Sequence, residues 1–227
     1  MSDRHILARR ALLTGAAGLA AAAAIPLSAT AASAKPNKPK EPKKPRIYSC
    51  EEWGARQPVD PPTILQNRPN KIVVHHTAYP NTLDFSLDYA FQNSRDIQDL
   101  HMDNNGWNDS GQHFTNSRGG FLTEGRRGSL DALLGGTTMV QSAHTVGQNT
   151  QSIGIENDGS YHLGELPTHK QWKSLIGFCA YICWQYEIAP TEIYGHQDFN
   201  ATLCPGGIQD RLPWLREQVA KKLHIAI

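Results

Sequence analysis

An excess of charge of one sign is the first thing that this 227-residue chain lacks. It carries 22 Lys and Arg against 21 Asp and Glu, a formal net charge of +1. The signs are unevenly spread, because residues 1–46 hold nine basic and two acidic side chains, whereas residues 47–227 hold 13 basic and 19 acidic ones. The later part is therefore at −6. The composition therefore does not imply the broad basic face that nucleic-acid binding needs, and we expect no nucleic-acid partner.

A long uninterrupted apolar run is also missing. The nearest approach lies within residues 1–34, but this Ala- and Leu-rich stretch is broken by Pro26, which disfavours a permanent membrane span. Arg9-Arg10 precedes the run and Ala-Ser-Ala at 32–34 follows it, the arrangement of an export signal with a small-residue cleavage site. We interpret residues 1–34 as an export signal peptide, and the paired arginines indicate the twin-arginine route to a secreted, extracellular or cell-wall location. An uncleaved anchor is the alternative.

A Lys- and Pro-rich linker follows at residues 35–46, and we expect it to be extended and disordered. Its positive charge suits either attachment to an anionic polymer or the simpler role of a solvated spacer. The rest, residues 47–227, is long enough for one domain with a substantial core.

The stretch at 194–206 combines residue types that bind metals. It contains His196 at the end of a predicted strand and Cys204 in the loop that follows. Neutral imidazole and thiolate are common zinc ligands, and Pro205 favours an extended backbone at Cys204, so that the thiol is presented from a bend. Taken alone, the pattern favours a plainer alternative, a loop His beside a Cys that packs or pairs.

A third ligand candidate lies upstream, in residues 71–78. Ile72-Val73-Val74 predicts a strand buried on both faces, and His75 and His76 end it. Side chains alternate along a strand, so at most one of the two histidines joins a given site. The other is then a core His bonded to the backbone, since buried polar groups are costly unless they are hydrogen-bonded.

These motifs resemble those of a known family. Their order and spacing over residues 49–223 are similar to the zinc-dependent N-acetylmuramoyl-L-alanine amidases, the type 2 amidases of the phage-lysozyme and peptidoglycan-recognition-protein superfamily. The resembling stretches are the opening segment at 49–55, IVVHHTA at 72–78, GQHF at 111–114, AHTVG at 143–147 and SIGIE at 152–156. The resemblance implies a zinc ion held by His75, His196 and Cys204.

The resemblance also implies roles for three other side chains. Glu156 ends a buried strand pattern, where a carboxylate is either salt-bridged or catalytic, and enzymatic relatives use an acid here as general base. Thr202 matches a position that steadies the oxyanion, and His144 is expected in the substrate groove. Asp198 is a candidate for orienting a His ligand.

Gln112 departs from the family pattern, which often has Tyr at this position. A Gln side chain donates an amide hydrogen bond to a substrate carbonyl but cannot act as a phenolic acid. We expect Gln112 to bind substrate without supplying the Tyr's chemistry, and we expect the neighbouring His113 to be structural.

The surrounding pattern predicts the fold class. Helical spacing covers residues 86–102, 168–186 and 211–223, with a capping box that begins at Thr168, and a hairpin spans 111–125. The predicted fold is α/β, a single domain with a central mixed β-sheet flanked by helices. The zinc site is expected in a groove at the sheet end.

Four cysteines in an exported protein are expected to form disulfides. With Cys204 assigned to the metal, we expect Cys50 to pair with Cys179 or Cys183. The latter two lie one helical turn apart, and a bond between them would be strained. The alternative, a disulfide through Cys204, would destroy the zinc site.

Together the motifs predict a secreted zinc hydrolase that cleaves the amide between N-acetylmuramic acid and L-alanine in peptidoglycan, and that acts as a monomer. The substrate follows from the resemblance alone. The competing hypothesis is a peptidoglycan-recognition protein that binds muropeptide without cutting it. Cys204 and Glu156 favour the enzyme, and Gln112 favours the binding protein. A wall tether acting through the linker is a third hypothesis, and it explains none of the motifs.

Overall fold

The computed structural model describes residues 39–227. The predicted signal peptide at 1–34 and the start of the predicted linker lie outside the described residues. Within the described part, the strands are β1 (Ile47–Tyr48), β2 (Ile64–Leu65), β3 (Lys71–His76), β4 (Phe114–Asn116), β5 (Leu122–Glu124), β6 (Met139–Val140), β7 (Ser152–Asn157) and β8 (Ile193–Gly195). The α-helices are α1 (Cys50–Trp53), α2 (Leu87–Asp99), α3 (Ser129–Gly135), α4 (His169–Tyr186) and α5 (Leu212–Leu223).

Six of the strands form one mixed sheet in the order β1-β5-β4-β7-β3-β8. β4 and β5 pair antiparallel as the predicted hairpin, and the other neighbours pair parallel. β2 and β6 form a separate antiparallel ribbon. The predicted α/β fold with a central mixed sheet is confirmed.

Helices cover both faces of this sheet. Phe178 of α4 packs edge to face on Phe114 of β4. On the hairpin, Thr123 of β5 pairs with Thr115 rather than with Phe114, so its side chain points to the other face. There it hydrogen-bonds Ser94 of α2, with 2.7 Å between the two hydroxyl oxygens. The central strands β3 and β7 are therefore buried on both sides, as their apolar runs predict.

Helices α2 and α4 each start with a side-chain cap. Ser86 accepts from the Tyr89 amide before α2, and Thr168 accepts from the Gln171 amide before α4. The predicted capping box at Thr168 is only half formed, because the Gln171 side chain does not turn back to Thr168. Its amide nitrogen donates instead to the carbonyl oxygens of Asn116 and Asp158, 2.9 Å away in each case. The Gln171 side chain, which the sequence pattern assigns to the helix cap, thus hydrogen-bonds the buried ends of β4 and β7.

Two helix boundaries differ from the predicted ranges. α2 ends at Asp99 and continues as a π-helix over Leu100–Asn104. α5 begins at Leu212 after a 3-10 turn over Gly206–Arg211. The apolar stripe predicted for α4 forms the main core with α5, and it includes Leu175, Cys179 and Cys183.

The predicted disulfide is wrong for this structure, in which all four cysteines of the chain are free thiols. α1 packs against α2 and β5 rather than against α4. The Cys50 thiol therefore donates to the carbonyl oxygen of Gly125, 3.4 Å away at the end of β5. Cys179 and Cys183 are buried in the core on α4.

The described end of the predicted linker is tied to the domain. Residues 39–46 contain no helix or strand, but the Lys40 amide donates to the carbonyl oxygen of Leu223 at 2.9 Å. Arg46 pairs with Glu52 and lies over the ring of Tyr48. These contacts differ from the expected disorder. Across residues 39–227, no helix has both the length and the apolarity needed to cross a membrane.

Candidate active site

Three parallel strands bring the predicted ligands and base to one edge of the sheet. β7, β3 and β8 are neighbours that run in the same direction, so their carboxyl ends meet. His75 lies near the end of β3, Glu156 faces it across the β3–β7 register, and His196 follows β8. The loop after β8 then returns Cys204 to the end of β3. A cavity of about 270 Å³ opens at this edge.

The predicted metal ligands converge. His75, His196 and Cys204 each offer one ligand atom, and these atoms lie within 4.8 Å of one another. Nδ1 of His75 is 3.6 Å from Sγ of Cys204. Zinc bond lengths of about 2.3 Å to sulfur and about 2.05 Å to nitrogen, at a tetrahedral angle, give an S–N separation of about 3.6 Å. The donor types and their spacing therefore fit zinc.

Alternation along β3 separates the two adjacent histidines as predicted. His75 faces the ligand cluster, and its ring centroid is 4.6 Å from that of His196. The Nδ1 atom of His76 accepts a hydrogen bond from the backbone amide of Tyr161 at 3.1 Å. Burial lowers the pKa of His76 to about 4, so it is a neutral His bonded to the backbone.

His75 is oriented by a second histidine. Its Nε2 lies 2.9 Å from Nδ1 of His144, and Nε2 of His144 lies 3.3 Å from the hydroxyl of Ser152, which donates onward to the Gln148 carbonyl. A metal on Nδ1 of His75 requires the proton on Nε2, and that proton then donates to His144. His144 lies at the cavity predicted to be the substrate groove, and its ring also supports a ligand.

Gly154 makes room for this second histidine. A Cβ at position 154 would lie 2.5 Å from the ring of His144. Only glycine lets the imidazole approach strand β7 so closely.

The predicted role of Asp198 is wrong. Its carboxylate accepts from the Gly195 amide at 2.9 Å and from the Gln209 side chain, and it bonds none of the three ligands. Nε2 of His196 instead meets Oδ1 of Asn200 at 3.2 Å. The Asp198 carboxylate closes the turn after β8, while Asn200 orients the imidazole.

Backbone hydrogen bonds hold the Cys204 residue and its sulfur in place. The amide of His76 donates to Sγ at 3.3 Å, and the Cys204 amide donates to the Thr202 hydroxyl at 3.1 Å. Burial raises the pKa of the Cys204 thiol to about 12, and the nearby Glu156 adds to this. A bound cation opposes both effects and holds such a thiol as thiolate.

Both ligand imidazoles are neutral. Burial lowers the pKa of His75 well below its usual range, and the neighbouring His196 adds to the effect. Burial also lowers the pKa of His196. Neutral imidazole is the metal-binding form, so these ligands need not lose a proton at neutral pH.

Glu156 carries the free carboxylate of the site. Its Oε2 is shielded from solvent and has no hydrogen-bond partner within residues 39–227. Burial raises the pKa of Glu156 to about 7, and the charge of Asp158 contributes in the same direction. The structure therefore does not support the alternative of a salt-bridged Glu156, because no cation of the described chain pairs with it.

Gln112 and Thr202 lie at the cavity as predicted. The Gln112 side-chain nitrogen donates to the Thr115 hydroxyl at 2.9 Å, and its buried oxygen has no partner among the described residues. His113 is structural, as predicted: its Nε2 meets the Val140 carbonyl and its Nδ1 accepts from the Gly154 amide.

His101 and Trp107 form a further part of the cavity wall. Their rings pack with centroids 4.7 Å apart and planes tilted by 31°, and Nδ1 of His101 accepts from the Gly111 amide at 3.0 Å. His101 is placed by the π-helix, a feature that often marks functional sites. The helical pattern of the sequence does not reveal this placement.

Comparison with known proteins identifies the family. Residues 65–207 match the family model described as N-acetylmuramoyl-L-alanine amidase. The chain belongs to this amidase family.

Named relatives of this amidase-family chain include a recognition protein and an enzyme. Peptidoglycan-recognition protein LB of Drosophila melanogaster is 29% identical over 163 residues, which cover 71% of this chain and 65% of that protein. The solved N-acetylmuramoyl-L-alanine amidase LysC from Clostridium intestinale is 25% identical with a TM-score of 0.59, covering 81% of this chain and 100% of that one. Peptidoglycan recognition protein LE, solved in complex with tracheal cytotoxin, is 26% identical with a TM-score of 0.61, covering 79% of this chain and 95% of that one.

Sequence reasoning missed three contacts in the amidase-family site. They are the Asn200 bond to His196, the His76 amide bond to Cys204, and the pairing of His144 with His75. The first lies one turn past the ligand, so an Asn four residues after a ligand His is a signal that could have found it. The other two join residues 128 and 69 positions apart in the chain, and only the folded sheet brings them together.

Proposed function

We propose that this chain is a secreted, zinc-dependent N-acetylmuramoyl-L-alanine amidase. The bond cleaved is the amide between N-acetylmuramic acid and L-alanine in peptidoglycan. The observation that carries the proposal is the convergence of His75, His196 and Cys204 beside the partnerless carboxylate of Glu156 in one cavity. Three protein ligands with one position left open are typical of catalytic zinc, whereas structural zinc sites are closed by four.

Glu156 acts as the general base and then as the general acid. When bound, zinc supplies a Lewis acid that polarises the substrate carbonyl and lowers the pKa of a coordinated water. The Glu156 carboxylate takes the proton from the attacking water as the water oxygen bonds to the carbonyl carbon. The same proton passes to the nitrogen when the C–N bond breaks, which releases a free L-alanine amino group. A carboxyl with a pKa near 7 suits both transfers.

Thr202 and Gln112 hold the reacting amide. The Thr202 oxygen already accepts from the Cys204 amide, so its own proton is free to donate to the developing oxyanion. The Gln112 nitrogen is occupied by Thr115, so its free oxygen acts as an acceptor for a substrate N–H. This reverses the donor role expected from the sequence. His144 positions His75 from the floor of the groove.

Peptidoglycan as substrate is supported by the relatives. One is named an amidase for this bond and others are named for peptidoglycan recognition, including a protein solved with a monomeric diaminopimelic acid-type peptidoglycan. We propose that the chain acts on the same polymer as a monomer.

The test separates metal binding from chemistry. Cys204→Ala should lose zinc and activity together, because two remaining protein ligands hold the ion poorly. Glu156→Gln keeps the shape but cannot accept the proton, so zinc should stay near one per chain while the rate falls by about 10²–10⁴. The readouts are zinc content and mass analysis of digested peptidoglycan. Cys183→Ala is the matched cysteine control, and it should retain both zinc and activity. If Glu156→Gln keeps the full rate, the base is elsewhere.

A recognition protein is the second candidate, and Gln112 is the observation that favours it, because this side chain cannot replace a phenolic acid. A zinc-loaded wild-type protein that binds muropeptide and releases no L-alanine amino group would establish the recognition role.

Secretion is proposed from Arg9-Arg10, which lies outside the described residues. Replacing both by Lys should hold the precursor inside the cell if the twin-arginine route is used. Unchanged secretion would point to the general export route.

A further inference from the structure

A groove larger than the catalytic cavity lies between α4 and α5. Its volume is about 820 Å³, within the range of ligand-binding clefts. Trp172 of α4 and Trp214 of α5 form its aromatic wall, with ring centroids 5.1 Å apart and planes at 83°. Trp214 is 40% exposed. The groove shares no lining residue with the catalytic cavity.

A second groove continues the first. It has a volume of about 580 Å³ and runs between the described end of the linker and α4. Lys173 and Lys222 line both grooves, so the two form one path over the surface, which we call the α4–α5 path. The volumes of the two grooves leave room for several units of a polymer along this path.

The charge of the α4–α5 path is one-sided, although residues 47–227 are net negative. Among the described residues, no Asp or Glu lines either groove. Six lysines line the path: Lys43, Lys44, Lys170, Lys173, Lys221 and Lys222. Within residues 39–227, none of these ammonium groups has a carboxylate within 4 Å. Unpaired like charges destabilise the isolated fold slightly, and an anionic ligand would relieve that repulsion.

We propose that the α4–α5 path binds a linear anionic polysaccharide, with a sugar ring against Trp214 and acidic substituents against the lysines. An exposed indole face offers a flat apolar surface that matches a sugar ring. Lysines are point charges on flexible stems, which suits acidic groups spaced along a chain better than one planar group held by a bidentate Arg. The site is separate from the amide-cleaving one and would hold the protein on its polymer between cleavages.

Other occupants fit less well. The chain's own residues 1–38 carry five basic side chains against one acidic one and would be repelled by the lysines. The two indoles meet edge to face, so they offer no parallel platform for consecutive nucleobases. A bilayer needs a projecting apolar surface, whereas this one is a groove.

Binding of full-length protein to polygalacturonate tests the proposal, with dextran as the neutral polymer, polyphosphate as the polyanion without sugar rings, and a single-stranded DNA oligonucleotide. We expect polygalacturonate to bind, binding to weaken as salt rises, and dextran not to bind. Lys173→Glu with Lys222→Glu should weaken binding about 10-fold or more. Trp214→Ala should weaken polygalacturonate binding about 5-fold and leave polyphosphate binding unchanged.

The matched control is Arg68→Glu with Lys71→Glu, an equal charge reversal outside both grooves. It should bind as the wild type does. If this control weakens binding equally, the effect is one of net charge and the proposal is overturned. Tighter binding of DNA than of polygalacturonate would also overturn it, as would an unchanged affinity of Trp214→Ala for polygalacturonate. Thermal midpoints matching the wild type confirm that the variants are folded. None of these readouts uses amidase activity, so the two proposals fail independently.

Discussion

The amide oxygen of Gln112 is buried at the catalytic cavity without a hydrogen-bond partner among the described residues. The amide nitrogen is anchored on Thr115. An unpaired buried acceptor is costly, and a substrate N–H would remove that cost. We therefore expect the Gln112 side chain to contact the substrate.

Gln112→Ala should therefore raise KM or lower kcat/KM by about 10-fold, the worth of one hydrogen bond to a buried group, while zinc content stays unchanged. Steady-state kinetics on a soluble muropeptide and metal analysis provide the measurement. Gln141→Ala, an exposed Gln elsewhere, is the control. A loss of zinc in Gln112→Ala would show that the residue supports the metal rather than the substrate.

The carboxyl of Glu156 should titrate differently with and without zinc. Burial raises its pKa to about 7 from 4.5, so the folded state holds this proton more tightly than the unfolded one. In the metal-free protein this group therefore costs stability as pH rises from about 4.5 through 7. A bound cation lowers the same pKa. Carbon NMR of the carboxyl, with Glu156→Gln for assignment, should give a pKa near 7 without zinc and a lower one with it. Equal pKa values with and without zinc would mean that the carboxyl lies away from the metal.

Strand β7 serves the site through alternate positions. Glu156 supplies the base and Gly154 leaves space for the ring of His144, so one face of the strand holds two functions. The carboxyl ends of β3 and β8 supply the ligands, and the sheet register sets their separation. The sheet register thus sets His75 beside Glu156, and the loop after β8 brings Cys204 to them.

Gly154→Ala tests this arrangement. The added Cβ would push the His144 ring, so His75 would lose its Nε2 partner, and zinc affinity should fall by about 10–100-fold. Competition with a metal chelator measures it. Gly177→Ala in the middle of α4 meets nothing within 4 Å. It should leave zinc affinity unchanged and stabilise the fold by about 0.5–1 kcal/mol. Wild-type zinc affinity in Gly154→Ala would mean that His144 does not support the ligand.

The end of α4 offers a stability change remote from the site. Glu187 adopts a left-handed conformation there, with φ of 60°, and its exposed side chain pairs with Arg68. Glu187→Gly should stabilise the protein by about 0.5–1 kcal/mol, because glycine accepts this backbone without strain and a surface ion pair contributes little. Denaturant unfolding provides the measurement. Glu187→Ala, which keeps the strain and loses the pair, should not stabilise the protein.

Features with a local period could be predicted from the sequence. The β3 alternation at His75 and His76 and the apolar stripe of α4 follow from strand and helix geometry. The hydrogen-bond partner of the Gln171 side chain could not be predicted, because both the helix start and the strand ends offer one. The carbonyl groups at the strand ends are buried and cannot reach water, so they bind the side chain. The number and spacing of cysteines in the chain likewise say nothing about which residues lie close in space. They could not reveal that Cys50 packs on β5.

Over the whole molecule, the metal would join segments that are distant in the chain. His75 lies on a central strand, whereas His196 and Cys204 follow the edge strand β8, which pairs only with β3 in the six-stranded sheet. A ligand that binds only the folded state stabilises it by mass action. A metal bound at this site would therefore tie the loop after the edge strand β8 to the central strand β3.

Zinc at about 1,000 times its dissociation constant should raise the free energy of unfolding by about 4 kcal/mol. Thermal unfolding with zinc and with a chelator measures the difference. Cys204→Ala should show almost none of this rise, and Cys183→Ala should keep it. The same rise in Cys204→Ala would mean that the stabilising zinc binds at another site.

The distance along the chain between His75 and Cys204 also has a consequence for synthesis. About 130 residues separate them, and a ribosome adding roughly 5–20 residues per second needs roughly 6–25 s to make that stretch. During this interval β3 and its histidines exist without their partners, so the nascent chain has no complete set of ligands. The proposed amidase would therefore be inert until translation had passed the last ligand.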